Sequence, residues 1–532
     1  MKPNKIFALV LVLVLVLSLL TGCGKTAEET PSTTPDAQAG TPVADSAGTA
    51  GTVSTNEAGE ITFTFARPEE IATFDPLNNN ALVNSIHNYM VYDCLLATDE
   101  NYNLLPCLAK DWKVADDNMS ITFYLEEGVK FHNGSDFTAE DVKITFGRLL
   151  EPDCTLTQLS NFSALKDIEV VDDYTVTIYL NNPDAYILSM LAKFPVIDGQ
   201  LYEEMGEACF DLNIGTGPWK FVEWKAGIHI EYERNDDYWQ GVTSNVDRCY
   251  YVPLMEDTTR ISALRTGDVD MIDSIPTADV ATLQSEGLEV LGMMSTDQLY
   301  IGYQFLDSVM ADKNVRLAFS HAIDREAIAR DILGSGRAAN FPTGEGGKGF
   351  DPNYPTPAYD PDLARQLLAD SSYNGETIRV IGPTANYEKI TETMTAIYYY
   401  LLDVGFNVDM EQLENAAFSD ARKSGQYDVY VVGASYGGGD GYGVLNQRIV
   451  GDSLASHYGN EELNNMILAS NQIMDDAARQ EALKEIYTKI MDDCAPFNYI
   501  VQYQFNYAYK PGISGIMFKA DKGIDYSGVV VN

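Results

Sequence analysis

The chain has 532 residues, of which 78 are Asp or Glu and 35 are Lys or Arg, so its formal net charge is −43. A chain this acidic is repelled by nucleic acid and by anionic lipid headgroups, which excludes nucleic acid as a partner. Apolar residues make up 45% of it, as in a globular protein with a buried core. The acids are dispersed along the chain, which favours a solvated surface over a cation-binding patch.

The amino terminus has the pattern of an export signal. Lys2 and Lys5 form a short basic region, residues 6–20 are almost wholly apolar, and Leu20-Thr-Gly-Cys23 follows. The apolar run is shorter than the roughly 20 residues of a membrane-spanning helix, which disfavours an uncleaved anchor. Leu, two small residues and Cys resemble the lipobox of bacterial lipoproteins. The resemblance implies that residues 1–22 are a signal peptide and that Cys23 is acylated. The lipid would anchor an exported protein at the outer face of the cytoplasmic membrane, or on the periplasmic side.

A low-complexity segment follows the signal. Residues 24–59 are mostly Thr, Ala, Ser, Pro and Gly with scattered acids. Such a composition cannot bury enough apolar surface to offset the entropy of ordering, so residues 23–59 are predicted to form a flexible tether. The remaining stretch of about 470 residues exceeds what one hydrophobic core usually organises, and at least two lobes are expected.

The region that begins near residue 99 is predicted to be a small α+β unit. The segments 118–125 and 174–180 alternate polar and apolar side chains, as half-buried strands do. Between them, Thr138 and Asp141 form a variant of the capping box that opens a helix. Its apolar face is expected to carry four side chains: Val142, Phe146, Leu149 and Leu150. A Gly/Pro turn then leads into another strand within residues 215–224.

The second half of the chain alternates strands and helices. Strands are predicted at 376–381, 406–413 and 427–432. Helices are predicted at 387–404, which Gly405 ends, and at 416–423. This order implies a parallel sheet with right-handed crossovers, in which ligands bind beyond the carboxyl ends of the strands. Residues 433–443 follow one of those ends and are therefore a candidate binding loop.

The same loop contains a formal match to an esterase motif. Gly433-Ala-Ser-Tyr-Gly437 fits the G-x-S-x-G nucleophile elbow, which would make Ser435 a catalytic nucleophile. An elbow must turn directly into a helix, but a glycine-rich run that forms helices poorly follows Ser435. Only His457 lies downstream, and it is closer than the hydrolase architecture places its histidine. We therefore predict that the protein is not an enzyme and keep the hydrolase as a remote alternative.

A binding role suits the loop better. Glycines such as Gly438 let backbone amides approach a ligand closely, because no Cβ intervenes. Tyr436 and Tyr442 offer flat apolar faces with a hydroxyl at the tip, and Asp440 offers a carboxylate to a cationic group. The alternative is a surface turn without a ligand.

The cysteines and histidines indicate no metal site and no cofactor. The chain has seven cysteines, none in a C-x-x-C pair, and five histidines without a metal-binding spacing. An exported location permits disulfides, and their pairing is left open among six residues: Cys94, Cys107, Cys154, Cys209, Cys249 and Cys494.

Five motifs in order resemble the extracellular solute-binding proteins of family 5, the peptide and nickel type that serves ATP-binding cassette importers. They are GVKFHNGSDFTAEDVKITFGRLL at 128–150, GTGPWKF at 215–221, NDDYWQG at 235–241, ALRTGDVDMI at 263–272 and NVRLAFSHAIDREAI at 314–328. The resemblance extends from about residue 60 to about residue 530.

The resemblance implies an α/β, two-lobed periplasmic-binding-protein-like fold of type II, with an additional α+β subdomain inserted in the first lobe. Lobe I is placed at 60–98, 213–295 and 500–532, its insertion at 99–212, and lobe II at 296–499. A ligand between the lobes favours closure, which the membrane permease recognises, while a separate subunit hydrolyses ATP. The protein is expected to act as a monomer.

The resemblance also names candidate ligand contacts. Peptide-binding members carry a Trp and an amine-binding Asp at the positions of Ala434 and Gly437, so both are missing here. Asp440 is the predicted replacement for the acid. Asn80 lies in a segment that approaches the ligand in the family, and Tyr503 lies where the chain returns to lobe I, although an exposed loop residue and a core tyrosine are equally good interpretations.

The sequence thus predicts a lipid-anchored receptor that captures oligopeptides for an importer. The alternative is the same fold with a non-peptide nutrient, such as an oligosaccharide or a metal chelate. The predicted ligand-binding residues are Asn80, Tyr436, Gly438, Asp440, Tyr442 and Tyr503.

Overall fold

A computed structural model gives the fold of most of the chain. The residues it describes are 54–78, 82–99, 102–339, 341–345, 347–385, 387–434, 439–519 and 522–532. Within these residues, no helix combines the length and the apolar character that crossing a membrane requires.

The strands are numbered in chain order. They are β1 Thr62–Arg67, β2 Leu96–Thr98, β3 Leu104–Pro106, β4 Ala109–Val114, β5 Ser120–Leu125, β6 Leu165–Asp172, β7 Thr175–Leu180, β8 Trp219–Lys225, β9 His229–Arg234, β10 Arg248–Pro253, β11 Met271–Ile272, β12 Glu289–Tyr303, β13 Arg337–Ala338, β14 Thr377–Pro383, β15 Asn407–Leu413, β16 Val429–Ala434, β17 Phe497–Tyr509, β18 Ile513–Ser514, β19 Met517–Phe518, β20 Ile524–Asp525 and β21 Val530–Val531.

The α-helices are numbered in the same way. They are α1 Leu82–Val91, α2 Ala139–Gly147, α3 Tyr186–Leu191, α4 Gly199–Met205, α5 Asp257–Thr266, α6 Thr277–Ser285, α7 Lys313–Ala322, α8 Arg325–Ala327, α9 Pro361–Ala369, α10 Ile390–Val404, α11 Asn415–Lys423, α12 Tyr442–Leu445, α13 Glu461–Ser470 and α14 Asp476–Asp493. Short 3₁₀ or π turns add Arg148–Leu150, Leu159–Phe162, Gly206–Asp211, Val309–Ala311, Ile328–Leu333 and Asn446–Val450.

One large sheet runs through the molecule. Its strands lie in the order β15-β14-β16-β12-β17-β11-β1-β10-β9-β8, and β13 also pairs with β17. β12 and β17 are antiparallel neighbours along nearly their whole length, and they join the two halves of the sheet. Their pairing shifts register between Met294 and Gln298, where three residues of β12 stand opposite Tyr503.

The predicted parallel sheet is present in the second half. β14 pairs in parallel with both β15 and β16. The apolar stripe of α10 is buried as expected, and Gly405 ends that helix with φ at 104°, a left-handed conformation that glycine adopts without strain. β12 pairs with β16 in the antiparallel direction, so the sheet as a whole is mixed.

Side chains cover both faces of this half of the sheet. Val429 and Val431 of β16 belong to one buried apolar cluster, while Tyr430 and Val432 belong to another. Successive side chains of a strand point to opposite faces, so each face has its own core. The other half of the sheet packs against two further clusters, one of which contains Phe63 and Phe65 of β1.

Residues between β3 and α4 form a separate small sheet with the order β4-β5-β7-β6, which has its own apolar cluster. The Thr138 N–H donates to Asp141 Oδ2 at 2.7 Å, as the capping-box variant predicts. Val142, Phe146 and Leu149 are buried, but the prediction for Leu150 is wrong, since 39% of it is exposed. The reason is that α2 ends at Gly147 and a 3₁₀ turn rotates Leu150 away from the buried face.

Candidate functional site

A cavity of about 530 Å³ lies between the two halves of the large sheet. One wall is the segment that joins β14 to α10, with Tyr387 and Glu388. The opposite wall consists of residues 274–276 and 503–506. The size is within the range of pockets that hold small organic ligands.

The first wall follows the carboxyl end of β14, and a neighbouring strand holds it in place. Tyr387 donates its hydroxyl hydrogen bond to the Gly433 carbonyl of β16 at 3.0 Å. A Cβ on Gly433 would lie 2.2 Å from Tyr387 Cε1, so only glycine lets the ring pack here. This strand end therefore presents the Tyr387 ring to the cavity.

The register shift in the β12–β17 ladder places Asp297 at the cavity. Asp297 forms an ion pair with Lys522, which also lines the cavity. The other carboxylate oxygen, Oδ1, is buried and has no hydrogen-bond partner in the described part of the chain. A buried acceptor without a partner is costly, and a ligand donor would satisfy it.

Tyr503 lies opposite the same shift and is only 6% exposed. Its hydroxyl, too, lacks a hydrogen-bond partner among the described residues. Burial, followed by the proximity of Tyr387 and Glu388, raises the pKa of this hydroxyl, so it stays protonated. The cavity thus offers one buried donor and one buried acceptor that the described protein leaves unsatisfied.

Glu388 connects the two walls. Its Oε1 accepts a long hydrogen bond of 3.5 Å from the backbone N–H of Thr277, the first residue of α6. Burial raises the pKa of the Glu388 carboxyl. The Thr277 N–H and the nearby Lys389 offset this only in part, so the pKa stays above its ordinary value.

The structure does not bring the predicted ligand contacts together at one site. Tyr503 lines the cavity, and its predicted contact with the ligand stays a prediction. Asp440 and Tyr442 do not line it. Asn80, Tyr436 and Gly438 lie outside the described residues, as do Ser435 and Cys23.

Asp440 lies in a buried polar cluster away from the cavity. Both nitrogens at the end of the Arg479 guanidinium donate to its carboxylate, and the two side chains are at most 2% exposed. Ser189 Oγ donates to Asp440 Oδ2 at 3.3 Å, and the Tyr442 N–H donates to Oδ1 at 3.0 Å. Burial by itself would raise the pKa of Asp440, but the charge and hydrogen bonds of Arg479 lower it overall.

This cluster lies where α3, which follows the small sheet, meets the helices of the second half. The Tyr186 N–H donates to Asn471 Oδ1 at 2.9 Å, and the Tyr186 and Tyr442 rings lie 5.6 Å apart. Asp440 therefore has a buried partner for its charge, and its predicted role as an amine contact stays a prediction.

Three further residues that line the cavity were not predicted from the sequence: Asp297, Tyr387 and Glu388. Tyr387 and Glu388 could have been predicted, because they follow the carboxyl end of β14. The rule that ligands bind beyond the carboxyl ends of parallel strands was applied only to β16. Asp297 gave no such signal, because its position depends on a register shift within a long strand.

Three side chains of the kinds that bind metal ions lie close together. Glu223, His229 and Glu231 lie on the β8–β9 hairpin with donor atoms within 4.8 Å. Lys225 pairs with the first of these carboxylates and Arg248 with the last. The protein's own cations therefore already balance this cluster.

The sequence is similar to that of known bacterial binding proteins. Residues 103–450, well over half of the chain, match the family model described as bacterial extracellular solute-binding proteins, family 5 middle. Heme-binding protein A of Haemophilus influenzae is 29% identical over 427 residues, 73% of this chain and 76% of that protein. The oligopeptide-binding protein AppA of Bacillus subtilis is 26% identical over 439 residues, 77% and 80% of the two chains.

Solved structures agree with the fold. HbpA2 from Haemophilus parasuis superposes with a TM-score of 0.80 at 22% identity, covering 88% of this chain and 100% of that one. AppA from Bacillus subtilis in complex with a nonapeptide gives a TM-score of 0.71 at 23% identity, with coverage of 88% and 99%. The predicted fold class, a type II periplasmic-binding-protein-like fold, is confirmed, and the chain belongs to the bacterial extracellular solute-binding proteins of family 5.

Proposed function

We propose that this protein is the substrate-binding receptor of an ATP-binding cassette importer and that it captures oligopeptides in the cavity between its lobes. Family membership supports the receptor role. The observation that carries the peptide assignment is the pair of unsatisfied groups, the Tyr503 hydroxyl and Asp297 Oδ1. A peptide backbone supplies both an acceptor and a donor for such a pair.

The two lobes would close on the ligand. Lobe I would comprise residues 60–98, 213–295 and 500–532 with the insertion at 99–212, and lobe II would comprise residues 296–499. The ligand stabilises the closed form by contacting both walls, and the membrane permease would recognise that form. ATP hydrolysis would belong to a separate subunit, and the receptor would act as a monomer.

The proposed location rests on the amino-terminal sequence pattern. Family members are extracellular solute-binding proteins. In our proposal, acylation of Cys23 holds this one at the outer face of the cytoplasmic membrane, and residues 23–59 tether the lobes to the lipid.

A ligand screen tests the peptide assignment against the non-peptide alternative. Peptides, oligosaccharides and metal chelates are added to the purified protein, and its thermal unfolding is followed. A ligand present at a hundred times its Kd stabilises the folded state by about 2.7 kcal/mol. We expect peptides to raise the Tm. A shift with sugars or chelates alone would assign the receptor to another nutrient.

Tyr503→Phe separates ligand binding from folding. The hydroxyl has no partner in the described structure, so its removal should leave the free protein equally stable or up to about 1 kcal/mol more stable. The peptide-induced Tm shift should fall, because the ligand loses a buried donor. Tyr509→Phe, on the same strand but outside the cavity, is the control and should retain the shift. A full shift in Tyr503→Phe would contradict a contact to the ligand.

The proposal also treats the protein as a binding protein without catalysis. Among the described residues after β16, the first α-helix is α12, which begins at Tyr442, and the sequence itself disfavours a nucleophile elbow because the glycine-rich run after Ser435 forms helices poorly. The purified protein should hydrolyse p-nitrophenyl acetate no faster than the Ser435→Ala variant. Turnover that this substitution abolishes would support the hydrolase instead.

A further inference from the structure

The charged side chains around the cavity are mostly paired with each other. The acids that line it are Asp257, Asp297, Glu388 and Glu392, and the cations are Lys389 and Lys522. Asp297 pairs with Lys522, Glu392 pairs with Lys389 at 3.2 Å, and Asp257 pairs with Arg260 at 2.5 Å. Among the described residues that line the cavity, Glu388 is the acid without an ion pair. The described parts of the walls therefore carry one carboxylate that forms no ion pair of its own, since the neighbouring Lys389 pairs with Glu392.

That carboxylate is poorly satisfied by the protein. Glu388 is half-buried, and the hydrogen bond that it accepts from the Thr277 N–H is long, at 3.5 Å. A partly desolvated carboxylate gains more from a cation than an exposed one does, because less water screens the pair. The unsatisfied Asp297 Oδ1 and Tyr503 hydroxyl line the same cavity.

Glu388 is also placed to respond to lobe closure. It lies on the segment after β14, and Thr277, at the start of α6, directly follows Pro276 of the opposite wall. A cation bound at Glu388 is therefore enclosed between both walls, so the same contact recognises the ligand and favours the closed form.

We propose that Glu388 determines specificity and selects a ligand with a positively charged group, an ammonium of a peptide amino terminus or of a lysine side chain, over an anionic ligand. This inference rests on the proposed function, and it names the charge of the substrate rather than its length or sequence.

Three peptides distinguish the two sources of the ammonium group. Trialanine has a charged amino terminus, N-acetyl-Ala-Lys-Ala has only a side-chain cation, and N-acetyl-trialanine has neither. Isothermal titration of the full chain should show that N-acetyl-trialanine binds about tenfold or more weakly than the better of the other two. The peptide that binds best identifies the ammonium group recognised.

Two variants assign the selectivity to Glu388. Glu388→Gln keeps an acceptor for the Thr277 N–H but removes the charge, and it should abolish the difference among the peptides. Glu411→Gln is the matched control, since Glu411 is an exposed acid outside the cavity that pairs with Arg379. It should keep the wild-type preference.

The outcomes separate the inference from the proposed function. Equal binding of N-acetyl-trialanine, or an unchanged preference in Glu388→Gln, overturns the inference and leaves a peptide receptor. If no peptide binds, the peptide assignment fails, and spermidine becomes the probe. Spermidine binding that Glu388→Gln abolishes would then support cation selection, and absence of binding would overturn it.

Discussion

Asp440→Asn is expected to lower the free energy of unfolding by about 3–5 kcal/mol, the cost of removing one partner from a buried ion pair. The substitution leaves the Arg479 guanidinium buried without its counter-charge. It also weakens the contacts that Asp440 makes with Ser189 and with the Tyr442 N–H. Urea denaturation of the purified variant measures the loss.

Asp403→Asn is the control for this prediction. Asp403 pairs with Arg365 at 2.6 Å, but the two side chains are 66% and 44% exposed. An exposed pair contributes little, so this variant should lose less than about 1 kcal/mol. If both variants lost the same free energy of unfolding, burial would not be the reason why the Asp440–Arg479 pair stabilises the protein.

The difference in stability between the wild type and Asp440→Asn should depend on pH, and the pKa of Asp440 sets the direction of that dependence. The folded protein holds the pKa of Asp440 below its ordinary value, so the unfolded chain binds the proton more readily. The stabilising contribution is therefore present above the ordinary aspartate range and is lost as the pH falls through the folded pKa. The gap in stability between wild type and Asp440→Asn should narrow on acidification below about pH 4.

The same variant tests the amine-binding role that the sequence suggests for Asp440. If the carboxylate serves Arg479, Asp440→Asn lowers the Tm but retains the peptide-induced shift wherever the protein is still folded. If it binds the ligand's amine, most of that shift disappears. A loss of the shift together with an unchanged stability would show that the buried pair is not the main role of Asp440.

Gly215→Ala is the second substitution for which a large effect is expected, a loss of about 3 kcal/mol from overpacking. A Cβ on Gly215 would lie 2.0 Å from the Val91 carbonyl oxygen and 2.8 Å from its carbonyl carbon. Backbone atoms at the end of α1 cannot rotate away as a side chain does. Urea denaturation gives the change in stability.

Gly147→Ala provides the comparison. Gly147 has helical backbone angles, and a Cβ there meets nothing within 4 Å. Alanine should therefore be neutral or stabilise the protein by up to about 1 kcal/mol. If both variants behaved alike, the close approach of Gly215 to Val91 would not be what requires glycine in the GTGPWKF motif.

Elements with strong local signals were predictable from the sequence. The stripe of α10, its terminal Gly405 and the alternation of β5 and β7 each depend on residues close together in the chain, and the structure confirms them. Leu150 was mispredicted because the choice between an α-helix and a 3₁₀ turn at Gly147 depends on tertiary packing.

The site was less predictable, because its parts are far apart in sequence. Asp297, Glu388 and Tyr503 come from three distant segments that meet at one cavity. The partner of Asp440 lies 39 residues further along, on α14, and no local pattern identifies it. The family resemblance gave the architecture, whereas the position of Glu388 at the cavity required the three-dimensional arrangement.

The register shift between Met294 and Gln298 has a consequence for how the protein moves. The two long strands are bonded to each other on both sides of the shift, so neither can bend there without the other. In the proposed closure of the lobes, a bend at the shift would therefore involve both strands together, and Asp297 and Tyr503, which stand at the shift, also line the cavity. Entry and release of the ligand should accordingly share one kinetic barrier, which substitutions at residues 295–297 would change for both steps together.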